Sequence, residues 1–458
     1  MIDLKDLFLT PIYLAVFYGL AFGVRKRFTN NLTKKYFIPA LSVKFLGALC
    51  LGLIYQFYYG GGDTFNYYTH IKIIFQAFTE SPTIGFKLLF ANGEYDPLTA
   101  SYANRMQWYT SSTEYFIARV GAFFSLFCFN TYSVIALMFA MLSFSGMWAM
   151  YLTFVRIYPL AYKQLAIACF FLPSVFFWGS GIMKDSLCIG ALGWVFYGFY
   201  NGLVRPKSTV FSLILGAIGM YVIIAVKIYI LLSFLPPALL WIFNEYNQRI
   251  KSPVLRIAAR PFFLAVGLAA AVFGATNLTA GDDRYDVENI AERTKINNDY
   301  LTTYTNNGSA YDIGTIDGSV GSIIKVAPQA IVVSLYRPFL FEARNPVMLL
   351  SALEATWFIY LTFILFYKTG VLKSLSLIVS EPILTFCFLF SIILAIAVGT
   401  NSGNFGTLVR YKIPLMPFYL SALYIMQFKA KAANKNRTLG KSAYVKRAKK
   451  LGRLAVTE

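Results

Sequence analysis

Histidine is almost missing from this 458-residue chain, in which His70 is the only one. That removes His-based zinc sites and Ser-His nucleophilic arrangements from consideration. Any chemistry falls to carboxylates, Lys, Arg, Tyr or backbone dipoles. The five cysteines, Cys50, Cys128, Cys169, Cys188 and Cys387, lie in apolar segments with no CxxC spacing. Neither a disulfide framework nor a thiolate metal site is suggested, and they read as small packing residues. Charge is scarce as well. Only 14% of residues are charged and 57% are hydrophobic, a balance that does not describe a soluble globule. Residues 1–6 lack the basic flank and the small-residue cleavage site of a signal peptide, so 7–23 reads as a retained first span.

Long apolar runs take the place of charge. Those at 37–59, 134–155, 262–275 and 382–398 approach or reach the ~20 residues that cross a hydrocarbon core as helix. Lipid offers the backbone no hydrogen-bond partner, so such runs must be helical, and the short alternating stretches of a β-barrel are missing. The chain is therefore read as an all-α, polytopic membrane protein of about eleven transmembrane helices. They are placed at 7–23, 37–59, 132–155, 164–181, 186–204, 209–226, 228–244, 261–278, 347–367, 382–399 and 412–428. The segment 116–129 is apolar but short and carries Arg119, so it is expected to be an outer re-entrant or interfacial helix.

This placement sorts the charges. One set of loops collects Arg25, Lys26, Arg27, Lys34, Lys35, Arg156, Lys163, Arg205, Lys207, Arg249, Lys251, Arg256, Arg260, Lys368 and Lys373, and the tail is basic too. Opposite them fall Asp63, Glu80, Glu94, Asp96, Glu114, Asp185, the acidic cluster at 282–317 and Glu342. The positive-inside rule then puts the N-terminus outside and the C-terminus in the cytoplasm, as in a bacterial inner membrane. Four regions follow: a membrane bundle at 1–278 with an outer loop at 60–131, an outer-face loop domain at 279–346, C-terminal membrane helices at 347–428, and a basic cytoplasmic tail at 429–458. The net charge of +20 sits in short loops and that tail, so the expected partner is membrane lipid and not nucleic acid.

Several polar sequences converge on the outer face. Gly60-Gly61-Gly62-Asp63 leads into Tyr67 and Tyr68; Trp178 to Asp185 includes Lys184; Lys227 separates two apolar runs; Arg337 precedes Pro338; and Arg410 follows the polar stretch 400–404. A carboxylate beside cations and aromatics suits a reaction on an anionic lipid-linked sugar. The base takes a proton from an acceptor hydroxyl, cations hold the departing phosphate, and aromatic faces stack on sugar rings.

Each residue also has a plainer reading. Asp63 could cap the following helix. Lys184 and Asp185 could pair with each other, or Asp185 could cap a helix. Arg337 and Arg410 could be interfacial anchors. Lys227, costly between apolar runs, must reach water or an anion, and Glu354 within an apolar span is a functional hypothesis by default. His70 is expected at the surface near the headgroups, and the stretch 326–341 as a surface helix dipping into the interface.

The Gly62-Asp63 element with Tyr67 and Tyr68, the turn at 173–185, and Arg410-Tyr411-Lys412-Ile413-Pro414 ahead of a late span resemble GT-C-type membrane glycosyltransferases and the EpsG- and Wzy-type polysaccharide polymerases. The resemblance implies a GT-C-like fold and transfer or polymerisation of sugars at the outer face from a polyprenyl-phosphate-linked donor. In it Asp63 is the catalytic candidate, as the general base or the residue orienting the acceptor, and Tyr67, Tyr68, Lys184, Asp185, Lys227, Arg337 and Arg410 are substrate-binding candidates. In many GT-C enzymes the aspartate follows the first span, whereas Asp63 follows the second. No cofactor is assigned, and metal dependence is left open. A transporter or flippase of lipid-linked saccharide is the alternative, followed by a non-catalytic component of an envelope assembly complex.

Overall fold

A computed structural model describes residues 2–247 and 310–439, with a few positions between 292 and 300. The expected span at 261–278, the amphipathic helix read at 282–304 and the tail beyond 439 lie outside the described residues. Within them the protein is helical apart from one isolated bridge, Ala310 to Asn404. Among the described residues, seven helices are long and apolar enough to span a membrane: Leu4–Phe28, Lys34–Phe57, Tyr132–Ile157, Lys184–Val204, Thr209–Tyr246, Pro346–Thr369 and Pro382–Asn401. The chain is thus an all-α, polytopic integral membrane protein.

The helices run α1 Leu4–Phe28, α2 Lys34–Phe57, α3 Asp63–Glu80, α4 Pro82–Phe90, α5 Ala100–Ala103, α6 Ser112–Ser125, α7 Tyr132–Ile157, α8 Tyr162–Phe170, α9 Pro173–Trp178, α10 Lys184–Phe199, α11 Thr209–Asn247, α12 Val320–Tyr336, α13 Pro346–Thr369, α14 Val371–Ser380, α15 Pro382–Asn401, α16 Phe405–Tyr411 and α17 Met416–Leu439. Local chemistry explains where this departs from the expected spans. The run at 164–181 breaks into α8 and α9 because Pro173 donates no backbone N–H and pushes Leu172 into extended conformation. The last expected span starts only at Met416, and its apolar part, Met416 to Met426, is buried on all sides.

α11 is interrupted at Lys227, whose backbone (φ −148°, ψ 72°) is not helical. Trp241 packs on Tyr200, with ring centroids 5.8 Å apart, and Leu213 packs on Gly202, both at the C-terminal end of α10. Lys227 meets Asp185 at the other end. The chain therefore doubles back at Lys227.

Helix directions separate two poles. At one, Arg25 donates to the Lys34 carbonyl at 2.7 Å, Arg156 meets Asn201, and Arg205 pairs with Glu245 at 3.1 Å. At the other, Asp6 accepts from the Ser133 N–H at 2.7 Å, Thr64 bonds the Tyr132 hydroxyl at 2.8 Å, and Lys227 pairs with Asp185 at 2.5 Å. Among the described residues, the loops carrying Arg25, Arg156 and Arg205 and the polar sequences around Asp63, Asp185 and Lys227 lie at opposite ends of the bundle.

Glycines let the central helices touch backbone to backbone. A Cβ on Gly146 of α7 would stand 1.8 Å from the Gly190 carbonyl oxygen of α10, and one on Gly193 would stand 2.0 Å from that of Gly146. In lipid, where no hydrophobic effect drives helices together, such close approach is the main attraction. α12 uses the same device. A Cβ at Gly399 would be 2.5 Å from the Ala330 carbonyl, and Ser334 donates to the Ala395 carbonyl at 2.7 Å, so this expected surface helix lies along α15 with Ile324 and Val332 exposed on its other face. α6, the expected re-entrant or interfacial helix, seats Gly121 under Ile71 of α3 and Phe124 against Phe139 of α7.

Candidate functional site

α2 ends below three glycines with positive φ: Gly60 (68°), Gly61 (151°) and Gly62 (123°). Such values suit residues without a Cβ, and at Gly62 a Cβ would also meet the Tyr55 ring at 2.7 Å. The turn delivers Asp63 as the first residue of α3, with Gly62 in the N-cap position and no side-chain cap. The Asp63 carboxylate does not cap the helix. It accepts from Arg410 Nη1 at 2.8 Å across 347 residues of sequence.

Arg410 is shared. Its Nε donates to Asp185 Oδ2 at 3.3 Å, and its guanidinium lies 5.6 Å from the Trp178 ring centre. Asp185 takes a second cation from Lys227, which sits 4.3 Å from the centre of the Tyr411 ring. The Asp185 side chain is 3% exposed and that of Asp63 is 42% exposed. Burial works against the Arg410 charge, but Asp185, Tyr55 and Asp63 outweigh it and raise the guanidinium above its ordinary range.

Asp63 and Arg410 open onto a cavity of about 380 Å³. Tyr55, Tyr59 and Trp178 form an aromatic panel in its wall, with Tyr55 5.3 Å from Tyr59 and 6.4 Å from Trp178. Asn345, Ser351, Asn404 and Thr407 give it polar atoms, and Val347, Met348, Phe405 and Val409 an apolar side.

The remaining predicted residues fall elsewhere. Lys184 does not pair with Asp185 but with Glu114, and it donates to the Thr113 hydroxyl at 2.9 Å. Burial alone would raise the Glu114 carboxyl, yet Lys184, Ser111 and Thr113 hold it at about 2. Lys227 is buried behind Arg410. Arg337 pairs with Glu342 and lies 5.1 Å from the centre of Phe405, which separates it from the cavity. Both arginines are engaged by carboxylates. Tyr67 and Tyr68 are buried: Tyr67 packs on Trp108 at 5.0 Å, and the Tyr68 hydroxyl donates to the Asn130 carbonyl at 2.8 Å. His70 is also buried rather than at the surface. Its Nε2 accepts from the Trp108 N–H at 3.4 Å, and burial lowers the imidazole to about 4. Glu354 is held by the backbone N–H and hydroxyl of Ser174, which ties α13 to α9.

Sequence reasoning passed over Lys44, which is fully buried in α2. It donates to the Gly179 carbonyl at 2.7 Å and the Ser143 hydroxyl at 3.1 Å, fastening the turn that carries Trp178. A lone lysine in an apolar run was the available signal, the same one that drew attention to Lys227. Tyr55 and Tyr59 were legible as aromatics one helical turn apart ahead of the glycines.

No protein-family model, curated protein or solved structure matches this chain. Among the described residues no group of three or more His, Cys, Asp or Glu side chains is arranged to hold a metal ion.

A strap that begins at Ala310 braces the cavity wall. Tyr311 donates its N–H to the Gly403 carbonyl at 3.2 Å and its hydroxyl to the Gly399 carbonyl at 3.1 Å, and its ring lies 5.1 Å from Phe405. Tyr311→Phe removes one buried hydrogen bond and should cost about 1 kcal/mol. Thermal unfolding in detergent checks this, and an unchanged midpoint would show that the strap does not brace the fold.

Proposed function

We propose that this chain is a membrane glycosyltransferase or polysaccharide polymerase that uses a lipid-phosphate-linked sugar donor. One observation carries the reading: a half-exposed carboxylate, Asp63, and a guanidinium, Arg410, face one cavity beside a panel of three aromatic rings. Asp63 takes the proton of an acceptor hydroxyl as its oxygen bonds the anomeric carbon. The bond from that carbon to the phosphate oxygen breaks, and the lipid phosphate leaves with the electron pair toward Arg410. Tyr55, Tyr59 and Trp178 offer faces for sugar rings. Lys227 and Asp185 fix Arg410 from behind and act as positioning residues. The apolar side of the cavity suits the first part of a lipid chain, and the resemblance to GT-C-type enzymes and EpsG- and Wzy-type polymerases supports the same substrate class. By the positive-inside rule the basic pole faces the cytoplasm and the cavity the outer side.

The test is the surface glycan and lipid-linked oligosaccharide profile of cells carrying Asp63→Asn, against wild type and a deletion at matched protein abundance. The expected result is loss of long glycan with build-up of lipid-linked single units, as in the deletion. Normal glycans in Asp63→Asn, with loss in the deletion, would overturn the catalytic role and favour a transporter or scaffold.

A further inference from the structure

Arg410 holds two carboxylates on very unequal terms. Asp185 is buried, takes Lys227 as a second cation, and is locked where the chain doubles back. Asp63 is half exposed, and its only hydrogen bond among the described residues is to Arg410. On Arg410 itself, Nε and Nη1 are occupied and Nη2 has no hydrogen-bond partner among the described residues. The charges of Asp63, Asp185, Lys227 and Arg410 sum to zero, so an added anion finds no net attraction while Asp63 stays in place. If the Asp63 carboxylate rotates away, the other three leave one uncompensated positive charge at the cavity wall. The backbone need not move, because Thr64, next in the chain, is buried and bonded to Tyr132.

We infer that Asp63 is an exchangeable occupant of an anion site on Arg410, and that a phosphate or diphosphate group displaces it while Asp185 and Lys227 keep the guanidinium in position. Phosphate oxygens suit the Nη1 and Nη2 edge, since a guanidinium presents parallel N–H donors to two oxygens at once. The exchange has a chemical consequence. It releases Asp63 from its cation and leaves both carboxylate oxygens free to accept a hydrogen bond from an acceptor hydroxyl. Binding of the donor phosphate would thus switch on the base. This deepens the function proposed above and rests on it for the role of Asp63, but the exchange can be read without sugar transfer.

The experiment is titration of inorganic pyrophosphate into the purified full-length protein in nanodiscs. Asp63→Asn removes the competing carboxylate, so it should bind pyrophosphate about two- to fivefold more tightly than wild type, the range a partly exposed ion pair can withhold. Arg410→Gln should abolish binding. If Arg410→Gln does not fold, Arg410→Lys keeps the charge but loses the forked geometry, and its binding should weaken. Equal or weaker binding by Asp63→Asn would overturn the exchange, as would undiminished binding by the Arg410 variants. Repeating the Asp63→Asn titration in nanodiscs containing a polyprenyl phosphate separates the sources. Competition assigns the site to a lipid headgroup and its absence to a soluble diphosphate, and either supports the exchange. Tighter pyrophosphate binding by Asp63→Asn alongside normal cellular glycans would keep the exchange and overturn the transferase reading.

Discussion

Asp185→Ala should lower folding stability by about 3–5 kcal/mol, the usual cost of removing one partner from a buried ion pair. The substitution leaves the Lys227 ammonium, 9% exposed, over the Tyr411 ring with no carboxylate partner among the described residues, and leaves Asp63 as the one carboxylate on Arg410 among them. Lys227→Met should cost less, because Asp185 keeps Arg410. The double variant Asp185→Leu with Lys227→Met should recover most of the loss, since a buried ion pair replaced by apolar side chains is often neutral in stability. Function should not return with it, because Arg410 has lost the acceptor that aims it. Thermal unfolding in detergent at matched concentration is the measurement. Lys87→Ala, which breaks the exposed Lys87–Asp96 pair, sets the scale at about 0–1 kcal/mol. An Asp185→Ala loss no greater than that control would refute the view that buried charge holds this pole together.

Gly146→Leu should be damaging for a different reason. Its first side-chain carbon would fall 1.8 Å from the Gly190 carbonyl oxygen, and backbone cannot move aside as a flexible side chain can. α7 and α10 must separate, and overpacking of this kind costs about 1–3 kcal/mol or more. The damage should spread to the site, because α7 supplies Ser143 to Lys44 and α10 begins with Lys184 and Asp185. Gly19→Leu on α1 is the matched control, since nothing lies within 4 Å of a Cβ there. Equal unfolding midpoints for the two variants would mean that α7 and α10 do not rely on backbone contact.

Much of the fold was legible because a lipid solvent imposes simple local rules. Apolar length marks helices such as α1, α2, α7 and α15, and the spacing of Lys and Arg marks one pole. Breaks inside apolar runs were read unevenly. Pro173 splits one expected span, whereas the interruption at Lys227 falls between the spans expected at 209–226 and 228–244, with Pro236 and Pro237 inside α11. The glycine-flanked Asp63 and the late Arg410 were visible as candidates, since each stands out against apolar surroundings. Their plainer readings were equally open from sequence, because Asp before a helix is a good cap and Arg beside a span is a good anchor.

The sequence by itself determined that this is a helical membrane protein with its basic loops on one side, because hydropathy and the loss of backbone partners in lipid act residue by residue. Only the tertiary structure decided which cation meets which carboxylate. Lys184 turns from its neighbour Asp185 to Glu114, and Arg410 bridges Asp63 and Asp185 from far along the chain. Charge pairing depends on distance in space and on how much water the surrounding helices exclude, and neither is set by position along the chain.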